Sequence, residues 1–169
     1  MAPETTMRAP VSIVALVLSM HAAWAQDATF AVRMLTPETA LRAAQAALES
    51  CRRSGYQVAV AVADRGGTTQ VLLRDRFAGP HTVDVAINKA WTAVTFKQDT
   101  LNLGQATRPD GPAAPIRHFP RVVVMGGGVP IEAAGSLAGA IWGAGAPGGG
   151  GGRVCAPTGN AATRQNIAV

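Results

Sequence analysis

Aromatic residues make up 5% of the chain and charged residues 15%. Binding to single-stranded nucleic acid draws on bases stacked over aromatic side chains along a basic groove. Here the charges are scattered, so no nucleic-acid partner is expected, and the net charge of +5 points instead to small anionic ligands. Long apolar runs are missing too. Val11 to Met20 is about half of the roughly 20 residues a membrane-spanning helix needs, so no stable span is expected after processing. The two cysteines, Cys51 and Cys155, form no C-x-x-C or Cys/His cluster, which removes support for a structural zinc site. Histidine is scarce: beyond residue 25 only His81 and His118 remain. No serine sits in a G-x-S-x-G elbow and neither cysteine in a nucleophile signature, so serine- and cysteine-based catalysis has no foothold. The glycine-rich stretches Gly126 to Gly135 and Gly143 to Gly152 lack the spacing of phosphate-binding loops. They read as turns that need positive φ.

What is present begins with a leader. Arg8 precedes the apolar run, and Ala23-Trp24-Ala25 supplies a small-residue cleavage pattern, predicting a signal peptide over residues 1–25 cut before Gln26. Glu4 is out of place in such a leader, and Met7 followed by Arg8 makes a better start. The destination is periplasmic or secreted. Residues 26–169 then form one domain. Export permits a disulfide, but the simpler reading of Cys51 and Cys155 is two separate buried thiols.

Periodicity predicts an α/β (α+β) domain. Thr36-Pro37 starts a helix whose face carries Leu41, Ala44, Leu48 and Cys51, and Gly55 stops it. Gln57 to Ala63 alternates valine with alanine, Asp64 to Gly67 turns the chain, and Thr68 to Arg74 returns it as a hairpin. The alanines leave room for a closely packed helix. A second helix, Thr82 to Phe96, carries Val83, Ala86, Ile87, Ala90, Trp91 and Val94 on one stripe. A short turn covers Leu101 to Gln105, and residues 106–120, with four prolines, read as a flap. Val122 to Met125, Val129 to Ile131 and Leu137 to Ala144 complete a five-stranded antiparallel sheet flanked by helices. A weak helix is expected around Arg153 to Ala162.

Four motifs together resemble the GlcG/HbpS haem-binding family, whose members are also described as haem-degrading proteins. They are VAVAVADRGG at Val58 to Gly67, LLRDRFAGPHT at Leu72 to Thr82, KAWTAVTF at Lys89 to Phe96 and GGGVPIE at Gly126 to Glu132. The resemblance implies a small profilin- or roadblock-like fold, assembly into homo-oligomers, and haem as the cofactor. It makes His81, within AGPHT, the first candidate for ligand contact and for the iron. Arg74, Arg76 and Lys89 are candidates for the propionates, and Thr100 for a ligating or orienting hydroxyl. Trp91, Phe77 and Phe96 are candidates for the porphyrin face. Each has a plainer reading: helix core for Trp91, solvated strand-end charges for the arginines, a surface or capping residue for either histidine. The chain departs from the family pattern over Trp142 to Arg153, where acidic residues are missing. Trp142 replaces a small residue and fills either a pocket or a contact between subunits.

Haem sequestration or redox sensing is the function this implies. The alternatives are an enzyme, degrading haem or acting on another small anion beneath the flap, and a non-catalytic oligomeric accessory or scaffold protein. All binding readings require an accessible cleft beside Pro80 to Phe96.

Overall fold

In the computed structural model, residues 29–146 are described, and 33–146 belong to one compact unit. The predicted leader, Cys155, the glycine tract beyond residue 146 and the expected C-terminal helix lie outside the described residues.

Helix α1 (Pro37–Arg53) begins as its sequence dictates. The Thr36 hydroxyl accepts from the Thr39 amide at 3.3 Å, and Pro37 occupies the first turn. Glu38 in the first turn and Arg52 and Arg53 in the last match the helix dipole. Gly55, at φ 79°, ends it. The buried stripe is Ala40, Ala44, Ala47, Leu48 and Cys51, while Leu41, expected on that face, is 40% exposed. Small side chains bring the helix axis close to the sheet and turn the bulkier leucine outward. Cys51 is disulfide-bonded, which corrects the expectation of a buried thiol at that position.

Strand β1 (Ala59–Asp64) is buried at every position and splits its two faces by size. Val60 and Val62, with Val58 just ahead of them, pack against α1. Ala59, Ala61 and Ala63 pack against helix α2 (Thr82–Phe96) through Ala86, Ala90 and Ala93. Burying each valine contributes roughly 1.5–3 kcal/mol. The alanines contribute little area, but they let α2 lie close. Strand β2 (Thr69–Arg74) pairs antiparallel with β1 across a turn in which Asp64 Oδ1 accepts from the amides of Gly66 at 2.8 Å and Thr68 at 3.0 Å.

After α2 come helix α3 (Thr100–Ala106) and a single 3-10 turn at Ala114–His118. Strands β3 (Val129–Ala133) and β4 (Ser136–Ala144) then form the second hairpin. Among the described residues the sheet has four strands in the order β2-β1-β4-β3, all antiparallel, with α1 on one face and α2 on the other. The expected fifth strand, Val122 to Met125, is irregular. Its backbone is satisfied by helix side chains instead of a neighbouring strand. The Val123 amide donates to Thr92 Oγ1 at 3.1 Å, and the Met125 carbonyl accepts from Thr100 Oγ1 at 2.8 Å.

Candidate functional site

Asp75 fixes the segment that leads from the sheet to α2. Its carboxylate is buried, accepts from Arg52 Nε at 2.7 Å and Nη2 at 2.5 Å, and also accepts from the Val58 amide at 3.3 Å. One carboxylate thereby ties the end of α1 and the start of β1 to the loop that follows β2. Further along that loop, Gly79 accepts from Thr82 through both the amide (3.0 Å) and the hydroxyl (2.6 Å). A Cβ on Gly79 would lie 2.7 Å from the His81 ring, so glycine leaves the space that the imidazole occupies. His81 sits at the N-cap of α2 and makes no capping hydrogen bond. The helix-cap reading of this residue therefore fails, whereas its ring is exposed, as the surface reading has it.

His81, Val85 and Lys89 recur every four residues and form one row along α2, beside the alanine row that meets the sheet. This row forms one wall of an open cleft of about 250 Å³. Met125 comes from the irregular segment, Trp142 and Ala144 from β4, and Gly145 and Ala146 close the lining. The cleft that the binding readings required is thus present beside α2.

At its floor, Lys89 is 2% exposed. Its Nζ lies 3.6 Å from the centre of the Trp142 ring and donates to the Gly126 carbonyl over a long 3.5 Å. Among the described residues the ion pairs are Arg52–Asp75 and Arg53–Glu49, so no carboxylate neutralises this amine. Burial lowers its pKa from 10.5 to about 8, because the charged form loses its water. The electron-rich indole face supports the cation. Trp142 is itself 2% exposed, and its Nε1 has no hydrogen-bond partner among the described residues. The close approach of the glycine segment is obligatory here. A Cβ on Gly128 would stand 2.9 Å from the Lys89 carbonyl and 2.7 Å from Thr100 Cγ2.

Of the sequence candidates, His81 and Lys89 are brought together in the cleft. Arg74 and Arg76 are not. Arg74 is exposed on the edge strand β2 and donates to the Ala78 carbonyl, and Arg76 is exposed in the loop beyond. Thr100 is fully buried outside the lining, with its hydroxyl donating to the Met125 carbonyl and accepting from the Gly128 amide, each at 2.8 Å. Trp91 is half-buried beside Gly67, with the Arg121 guanidinium 4.8 Å above its ring, and Phe77 is 78% exposed. Neither Trp91, Phe77 nor Phe96 lines the cleft. The supposed flap is pinned: Arg117 donates to the carbonyls of Thr107 and, at 2.7 Å, Gly104, and no residue of 106–120 lines the cleft. Sequence reasoning missed Met125 and Val85. The four-residue spacing of His81, Val85 and Lys89 is the signal that could have found Val85.

Comparison with known proteins places the chain in a family. A double mutant of HbpS from Streptomyces reticuli is 30% identical and superposes with a TM-score of 0.71, over 91% of this chain and 94% of that one. A PduOC:heme complex is 26% identical with a TM-score of 0.67, over 72% of this chain and 90% of that one. An uncharacterized 15.0 kDa protein in the dhaT-dhaS intergenic region of Citrobacter freundii is 29% identical over 112 residues, covering 65% of this chain and 79% of its own. The model of the family described as "haem degrading protein HbpS-like" matches residues 35–152, and the chain belongs to this HbpS-like family.

Proposed function

We propose that this is an exported haem-binding protein that sequesters or senses haem at the cleft beside α2. One observation carries the reading. A single cleft gathers an uncapped imidazole, a thioether, an indole face and a buried cation without an anionic partner. That donor set suits the group. His81 would offer a ring nitrogen to iron, and Lys89 would meet a propionate. Val85 and Met125 would cover porphyrin edge, with Trp142 buried against Lys89. Haem, when bound, supplies a redox-active iron, whereas the residues only bind, orient and exclude water. Membership of the family and the likeness to a PduOC:heme complex support the ligand class.

Size shapes the reading further. Sites that enclose a drug-sized ligand have volumes of roughly 300–1,000 Å³. A cleft of about 250 Å³ would hold part of a porphyrin and leave the remainder outside. Self-assembly of the chain, part of the same proposal, would cover that remainder, and Met125, 55% exposed at the cleft, would lie at the contact.

The test is a Soret titration of the purified chain with hemin. A saturable shift at micromolar hemin is expected, with His81→Ala changing the band position and weakening binding about tenfold or more. Absence of saturation overturns the haem reading, and an unchanged spectrum in His81→Ala removes His81 as the iron ligand.

A further inference from the structure

The sequence contains two lysines, Lys89 and Lys97, against thirteen arginines. Arginine keeps its charge in any protein environment, whereas a buried lysine amine can release its proton and become a nucleophile. Of these two lysines, one is exposed at the C-cap of α2 and the other lies at the floor of the cleft.

We infer that Lys89 is an attachment site for a short, uncharged aliphatic aldehyde, held in the cleft as a reversible imine. Three observations carry this. First, the ammonium form has few partners: one carbonyl at 3.5 Å is its sole hydrogen-bond acceptor among the described residues, no carboxylate pairs with it, and the Trp142 ring face at 3.6 Å is what favours the cation. Second, Lys89 lines a space of the right size. A water molecule's share of liquid volume is about 30 Å³, so 250 Å³ admits a small molecule of a few heavy atoms whole, as it does not a porphyrin. Third, the lining is predominantly apolar, with Val85, Met125, Trp142 and Ala144, which suits an alkyl chain. The lowered pKa of about 8 agrees. It leaves on the order of a hundredfold more free amine at neutral pH than an ordinary lysine has.

The step balances without an outside redox partner. The Lys89 lone pair attacks the carbonyl carbon, a C–N bond forms, and the carbonyl oxygen takes up a proton as the carbinolamine hydroxyl. That hydroxyl is protonated and leaves as water when the C–O bond breaks, and the nitrogen releases its protons to solvent. Amine and aldehyde enter, imine and one water result, and nothing is oxidised or reduced.

Imine formation would occupy the amine that the haem reading gives to a propionate, so the test contains no haem and its outcome is read apart from haem binding. The full chain is incubated with propionaldehyde and sodium cyanoborohydride at neutral pH, and time points are peptide-mapped by mass spectrometry. Lys89 is expected to gain the reduced adduct at least about tenfold faster than Lys97. Lys97 labelled as fast as Lys89, or Lys89 left unlabelled, overturns the inference. Because the comparison lies within the wild-type chain, it stands even if Lys89 variants fold poorly.

Discussion

Lys89 is the residue at which stability and binding oppose one another. Its pKa falls from 10.5 in the unfolded chain to about 8 in the folded one, so between these values the unfolded state holds more protons. Stability therefore rises with pH across that window, and below pH 8 the buried charge costs about 3 kcal/mol at full strength. The Trp142 face returns roughly 0.5–2 kcal/mol of this. Lys89→Met, which keeps the volume and drops the charge, is expected to stabilise the protein by about 1–2 kcal/mol at pH 7. The gain should vanish above about pH 10.5. Urea denaturation of both proteins at several pH values measures the difference directly, and a difference independent of pH would show that Lys89 titrates normally. The same variant should bind hemin more weakly, because the cation intended for a propionate is gone.

At the scale of elements, the alternation in β1 was legible in the sequence because strand side chains alternate faces, with valine for one helix and alanine for the other. The caps of α1 and the course of α2 were legible for similar local reasons. Val122 to Met125 misled because its apolar run matches a buried strand, while what decides its conformation is remote. Hydroxyls on α2 and α3, from Thr92 and Thr100, satisfy its backbone, and a Cβ on Gly104 would collide with the Val124 carbonyl. Periodicity carries no information about such side-chain-to-backbone bonds. Thr100→Val tests their weight. It leaves the Gly128 amide and the Met125 carbonyl without their partner, at about 1–3 kcal/mol for each buried group left unpaired. A loss of about 2–4 kcal/mol is expected in thermal or chemical denaturation. Hemin affinity should fall as well, because this bond positions Met125 and Gly126 beside Lys89. Unaltered hemin affinity in a folded Thr100→Val protein would separate the irregular segment from the site.

For the whole molecule, charge and burial make separable contributions to capturing an anion. The formal charge of +5 and the pI near 10.2 create a long-range field. Most of the arginines lie outside the cleft, and Arg74 and Arg76, singled out from motif resemblance, belong to that outer set. Sequence showed that the chain was basic but not which cation was enclosed, since enclosure depends on how β4 and the irregular segment close over α2. Exposed charges are screened beyond about 10 Å at 0.1 M salt, and a buried charge much less. Raising sodium chloride from about 0.05 M to about 0.5 M is therefore expected to weaken hemin binding by a factor of roughly 3–10 through the outer charges. Over the same range, the affinity ratio between wild type and Lys89→Met should stay within about twofold, because the Lys89 contribution is made where salt does not reach. Soret titrations at the two salt concentrations measure both quantities. A ratio that collapses toward one at high salt would mean that Lys89 meets the ligand as a surface charge, and that the buried floor of the cleft is not where the anion binds.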